Sequence, residues 1–160
     1  MDLGLKNKVA LVAGGSMGLG RAVALAMARE GARVAICALD DPSLPAAEKL
    51  LREETGAEVL AVAADVSDPL QATQFVRKAQ AHFGTVDILV NNAGGPPAMN
   101  FLEIDDDMWS SGFRLNLLST IVMTREVVPV MKEKRWGRII NMTSISVKQP
   151  IDGLILSNTI

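Results

Sequence analysis

The sequence predicts an α/β fold: one doubly wound parallel sheet with helices packed on both of its faces. Three observations lead there. Short runs of Val, Ile, Leu and Ala alternate with longer helix-forming stretches along the whole chain. The short runs are apolar almost without interruption, which suits strands buried on both faces. Glycines and capping residues mark where the helical stretches stop and start. At this spacing the crossovers are right-handed and the sheet is parallel.

The elements follow in order. Lys8 to Gly14, "KVALVAG", is the first strand, ending in glycine. "GLGRAVALAMAREGA" is a helix that stops at Gly31, a C-cap signal. "RVAICAL" is the second strand, and "SLPAAEKLLREETGA" a helix with Ser43 as N-cap and Gly56 as stop. "EVLAVAAD" is the third strand. The next helix opens with Asp68 and Pro69, proline standing at its first position. "VDILVNNAGG" is the fourth strand and a polar loop. A long helix is expected from Asp105 to Lys134, acidic at its start and basic at its end, as the helix dipole favours. Pro129 should bend its last turn. "GRIINMTS" is the fifth strand.

The 160 residues fit one domain, 1–160, with no linker, repeat or low-complexity segment. Hydrophobic residues make up 49% and charged residues 21%, as in ordinary globular proteins. A formal net charge of −2 gives no reason to expect nucleic acid or an anionic membrane as partner. No apolar run approaches the ~18 residues of a membrane span, and no secretory signal is visible, so a cytoplasmic protein is expected. Cys37 is the single cysteine and cannot form an internal disulfide; His82 is the single histidine. No metal is expected.

"AGGSMGLG" places Gly14, Gly18 and Gly20 between the first strand and its helix. Such a turn brings backbone N–H groups and a helix N-terminus up to a pyrophosphate. Gly14 permits the tight turn, Gly18 close approach, and Gly20 close packing of helix on strand. A purely structural turn is the alternative.

Together with four motifs further on, this turn resembles the short-chain dehydrogenase/reductase family in its compact form, similar to 3-oxoacyl-ACP reductase-like members, over essentially the whole chain. Ala13-Gly14-x-x-x-Gly18-x-Gly20 is similar to the family's T-G-x-x-x-G-x-G, with alanine for threonine. Asp65-Val66 resembles the pair that contacts the adenine, and Asn91-Asn92-Ala93-Gly94 is the family's N-N-A-G. Asn116 and Ser144 match the asparagine of the long helix and the serine ending the fifth strand. The resemblance implies a Rossmann-type sheet in the order 3-2-1-4-5, with NAD or NADP across the carboxyl ends of the strands. It implies cofactor contacts from Gly14, Ser16, Met17, Gly18, Leu19, Gly20, Leu39, Asp40, Asp65, Val66, Asn92, Ala93 and Gly94. It also implies an N-terminal portion only, the family's last helix and two strands falling beyond Ile160. Plainer roles stand beside these: Asn91, Asn92 and Asp65 as loop or turn residues, Asn116 as an inter-helix hydrogen-bonding group, Ser144 as a strand-end cap.

Cofactor choice should lie after the second strand, where an acid holds the ribose hydroxyl and a cation holds a 2′-phosphate. Ala38, Leu39 and Met17 supply neither device, whereas Asp40, which solvated loop geometry alone would also explain, would repel a 2′-phosphate. NAD is therefore expected over NADP. Catalysis in the family joins hydride transfer from the nicotinamide to proton donation by a tyrosine, with serine, lysine and asparagine in support. Asn116 and Ser144 match that set, but family spacing puts Ser157 where the tyrosine belongs, and the chain contains no tyrosine. Lys148 is the nearest ionisable alternative, and a solvated loop lysine is its plainer reading. The long helix is apolar on two stripes, Leu115, Leu118 and Val122 on one, Phe113, Leu117, Ile121 and Val128 on the other; the family's missing helix or a second subunit should cover it, and self-association is expected. The expected function is an NAD(P)-dependent oxidoreductase acting on a small-molecule alcohol or carbonyl. The alternative is a non-catalytic NAD(P)-binding protein, a sensor, degenerate relative or assembly subunit. A methyltransferase on a similar sheet is disfavoured by the glycine spacing.

Overall fold

The computed structural model describes residues 3–160. Strands β1 (Val9–Ala13), β2 (Arg33–Ala38), β3 (Val59–Ala63), β4 (Ile88–Asn91) and β5 (Arg138–Asn141) form one sheet. All pairs are parallel, in the order β3-β2-β1-β4-β5. All five residues of β1 are fully buried, because alternate side chains enter two separate cores. Ala10 and Val12 pack with Ala24, Ala28, Ala47 and Leu51 of α1 (Gly18–Arg29) and α2 (Ser43–Thr55). Val9, Leu11 and Ala13 pack with Phe75, Val76, Val122 and Met123 of α3 (Pro69–Phe83) and α5 (Ser119–Glu133). Burial on both faces is what an uninterrupted apolar run requires.

The helix punctuation follows local chemistry. Asp68 caps α3 by accepting from the Leu70 amide at 2.8 Å, with Pro69 at the first position. Gly56 and Gly84 close α2 and α3 with φ of 66° and 78°. Glu30 is the C-cap of α1, and Gly31 follows it at φ 83°. Ser43 is not the N-cap of α2 but its first residue, after Pro42. The cap is displaced because Asp41 accepts from the Ser43 amide at 2.7 Å, an Asx turn reaching two residues on.

The expected single helix from Asp105 to Lys134 is broken differently from expectation. α4 (Asp106–Phe113) gives way to a π-helical turn, Arg114–Leu118, before α5 begins. α5 contains Pro129 and continues past it to Glu133. At the π-turn the Ser119 amide reaches back to the Arg114 carbonyl, one residue further than in an α-helix. The Ser119 hydroxyl donates to the Leu115 carbonyl, and Thr120 Oγ1 donates to the Asn116 carbonyl at 3.1 Å. Both hydroxyls thus bond carbonyls four residues back, beside the shifted ladder.

One apolar stripe of this tract meets the sheet: Val122, Met123 and Val127 are buried, with Leu115 and Leu118 packed beside them. Phe113, Leu117 and Ile121 form an exposed stripe. β5 stands at the sheet edge with all four residues exposed. At the amino ends of the strands, Asp87 Oδ2 accepts from the Val9 amide at 2.9 Å, while Oδ1 pairs with Lys134. That anchor ties the end of α5 to β1 and β4, leaving the carboxyl ends of the strands to shape the site. No helix among the described residues is long and apolar enough to cross a membrane.

Candidate dinucleotide cleft and reaction chamber

β1 hands the chain to Gly14, which turns at φ 61°, a left-handed conformation that favours glycine. A Cβ at Gly14 would lie 2.6 Å from the Asn92 carbonyl oxygen, and one at Gly20 would run into the Gly14 carbonyl oxygen. Gly20 therefore lets α1 start hard against the turn. Gly18, at φ 54°, has nothing within 4 Å of where a Cβ would sit. Asn92 Nδ2 spans the turn, donating to the carbonyls of Ala13 and Gly14 at 3.2 and 3.4 Å. Its structural role is thus visible directly. The N-cap of α1, Met17, makes no side-chain cap, so no side chain claims the N–H groups of the first turn. A glycine cradle below an uncapped helix N-terminus fits a dinucleotide pyrophosphate.

A cavity of about 540 Å³ opens above this turn. Gly14, Ser16, Met17, Leu19 and Gly20 line it from the turn, and Leu39 from the end of β2. Asp65 and Val66 line it beyond β3, and Asn92, Ala93 and Gly94 beyond β4. Gly18 and Asp40 are not among the lining residues; Asp40 is exposed. Asp41, which the sequence reading passed over, lines the cavity instead. The Ser43 side chain and amide beside it hold the Asp41 carboxyl below the usual carboxylate range. Asp65 keeps an ordinary turn role as well, accepting from the Ser67 amide at 2.9 Å. Among the described residues, Asp41 and Asp65 are the only charged side chains in this wall. Cys37 lies in its floor, fully buried, and burial pushes the thiol up to about 12, so it stays a protonated, unreactive group.

A second cavity of about 480 Å³ shares Leu19, Asn92, Ala93 and Gly94 with the first, so the two form one cleft. Asn116, Ser144 and Ser157 meet there from three separate segments. The π-turn carries Asn116. Ser144 follows β5 and accepts from the Ser146 amide at 3.2 Å, so it does cap a short turn while lining the chamber. Ser157 lies on α6 (Ile155–Thr159), anchored by fully buried Leu156. Leu156 lies 3.7 Å from where a Cβ would sit on Gly112 of α4. Asn158 steadies the approach by donating to the Ile151 carbonyl at 2.9 Å. Lys148 is exposed and outside the chamber. Among the described residues, no group of three His, Cys, Asp or Glu side chains is placed to hold a metal.

The family model described as short chain dehydrogenase matches residues 8–156. An uncharacterised oxidoreductase of Bacillus subtilis is 38% identical over 152 residues, which are 94% of this chain and 52% of the relative. D-beta-hydroxybutyrate dehydrogenase of Cupriavidus necator is 36% identical over 140 residues, 88% of this chain and 54% of that enzyme. L-sorbose reductase from Gluconobacter frateurii, complexed with NADPH and L-sorbose, superposes with a TM-score of 0.95 at 35% identity, covering 99% of this chain and 60% of that one. The chain therefore spans about half the length of these curated relatives. On the match from residue 8 to 156, and on the sheet order and glycine turn described above, the chain belongs to the short-chain dehydrogenase family.

Proposed function

We propose that this chain binds NAD(H) along the cleft and contributes the cofactor half of an oxidoreductase acting on an alcohol or carbonyl. The observation that carries this reading is the continuity of the cleft. The glycine turn and the group Asn116, Ser144 and Ser157 share walls through Leu19 and the Asn92-Ala93-Gly94 loop. The backbone N–H groups from Gly14 to Gly20 would hold the pyrophosphate, and Asp65 and Val66 would flank the adenine. When bound, the nicotinamide supplies hydride chemistry. Within the chamber, Ser144 can donate a hydrogen bond to a carbonyl oxygen, and the Asn116 amide can hold a substrate oxygen or a water.

NAD is favoured over NADP by charge. With Asp41 and Asp65 as the charged side chains of the adenosine wall among the described residues, a 2′-phosphate would meet two anions there. The L-sorbose reductase of similar fold was complexed with NADPH, so the preference has to be measured. Following cofactor fluorescence, NADH should bind at least tenfold more tightly than NADPH, and Asp41→Arg should reverse the order. Equal affinities would sink the preference, and no saturable signal with either would sink the dinucleotide reading itself.

A second reading, a non-catalytic NAD(P)-binding protein, is favoured by one observation: Ser157, not a tyrosine, occupies the chamber. Either reading leaves Phe113, Leu117 and Ile121 exposed along one helical tract, which supports a homo-oligomer. Light scattering should give a mass above one chain, and a well-dispersed monomer at tens of micromolar would overturn that expectation.

A further inference from the structure

We infer that Gln71 is a positioning residue for the adenine: its amide clamps the loop after β3 so that Asp65 and Val66 keep their polar groups set for the base. This deepens the proposed function and rests on it. Gln71 is half-buried in the first turn of α3 and outside the cavity lining, so it acts through its neighbours. It stands three residues after the cap Asp68, where a capping-box glutamine would bond back to the cap residue's own amide. Here it reaches further. The Asp68 amide donates to the Asp65 carbonyl at 3.1 Å, and Gln71 Oε1 accepts from the Asp65 amide at 3.0 Å. Gln71 Nε2 donates to Asp68 Oδ2 at 3.0 Å, while Asp68 Oδ1 accepts from the Leu70 amide. One side-chain amide thus ties the head of the loop to the start of α3.

These ties decide what the loop has left to offer. Asp65 Oδ1 accepts from the Ser67 amide at 2.9 Å, and Gln71 holds the Asp65 amide. Asp65, Val66 and Ser67 all line the cavity. Among the described residues, no hydrogen bond engages Asp65 Oδ2 or the Val66 amide. An acceptor therefore stands one residue from a donor. Adenine carries an amino donor beside ring-nitrogen acceptors, and a carboxylate can only accept, so the amino group is its match.

Removing the Gln71 amide would free the Asp65 N–H and leave the Asp68 carboxylate with the Leu70 amide alone. Val66 is 8% exposed and packs in the core, so its side chain would still anchor the loop. What would be lost is the fixed spacing of the Val66 amide and the Asp65 carboxylate. The cost should fall on recognition of the base and spare the rest of the dinucleotide.

NADH and its deamino analogue make a matched test, since the analogue carries an oxygen acceptor where adenine has its amino group. Each is titrated into the full chain and followed by nicotinamide fluorescence. The parent should bind NADH about tenfold more tightly than the analogue, the worth of one hydrogen bond to a charged group. Gln71→Met should weaken NADH about tenfold and leave the analogue within about twofold, so that the ratio collapses. Gln71→Glu keeps an oxygen for the Asp65 amide but repels Asp68, and should lower the ratio too. Gly84→Ala strains the far end of the same helix, where φ is 78°, and should lower Tm with the ratio unchanged. Equal affinity of the parent for both ligands, an unchanged ratio in a folded Gln71 variant, or the same collapse in Gly84→Ala would overturn the inference. Each of those outcomes leaves NADH binding, and with it the cofactor reading, in place. Failure of NADH to bind the parent would overturn that reading and this one together.

Discussion

Gly20→Ala should weaken NADH binding at least a thousandfold and lower Tm by about 4–8 °C. The added Cβ would run into the Gly14 carbonyl oxygen and lie 2.7 Å from Asn92 Nδ2. The first is backbone, and the second belongs to a side chain already bonded to that backbone. Neither can swing aside, so the turn or the helix must move. Overpacking of this kind costs about 2 kcal/mol, and for a chain of this size each kcal/mol shifts Tm by about 2–4 °C. Moving the turn also misaligns the N–H groups aimed at the pyrophosphate. Hydrogen bonds to a charged group are worth about 1.5–3 kcal/mol each, so losing two accounts for roughly 4 kcal/mol, or a thousandfold. Gly18→Ala is the control that separates the two effects. Open space surrounds its Cβ position, and only the left-handed φ of 54° penalises alanine, by about 1–2 kcal/mol. Fluorescence titration beside thermal unfolding reads both, and unchanged NADH affinity in folded Gly20→Ala would remove the glycine turn from the cofactor site.

How much of this was legible beforehand depends on how local the cause is. The strands were legible because parallel strands covered on both faces need continuous apolar runs, and β1 shows the result with all five residues buried. Asp68-Pro69 and Gly56 were legible because capping is decided by one or two residues. Ser43 was misread because two neighbouring residues could each serve the same N-terminus, and Asp41 is the one whose side chain reaches the amide. The π-turn left almost no trace in composition, since a ladder shifted by one residue uses the same helix formers. The adjacent hydroxyls of Ser119 and Thr120, each bonding four residues back, are the only local hint. In the site, Asn92 shows why motif reading stops short: one amide braces the glycine turn and also lines the cleft. Asp40 and Asp41 differ by one position, and only the conformation of the loop after β2 turns one of them toward the cavity.

Ser157→Tyr should raise ketone reduction by NADH at least a hundredfold over the parent chain. A phenol has a pKa of about 10, whereas an aliphatic hydroxyl lies nearer the ~15.7 of bulk water. The gap of roughly 5–6 units, at 1.36 kcal/mol each, makes serine a poorer proton donor by about 7–8 kcal/mol. The chamber offers no replacement, because its lining includes no titratable side chain and Lys148 lies outside it. The position itself is well held: Leu156 is fully buried beside it, and Ser157 faces the space that Ser144 and Asn116 share. A phenol there is protonated at neutral pH and can donate directly, and a positioned general acid contributes typically 10²–10⁴-fold. The gain should stay near the lower end, since no cation lines the chamber to stabilise the phenolate left behind. A panel of ketones with NADH, run beside binding and unfolding controls, measures it. If the variant binds NADH, folds, and shows no gain, the missing proton donor is not what limits this chain, and the non-catalytic reading becomes the stronger one. Robust turnover by the parent chain would point the other way: the proton would then come through water held by Asn116 and Ser144, and Ser157 would be a working substitution.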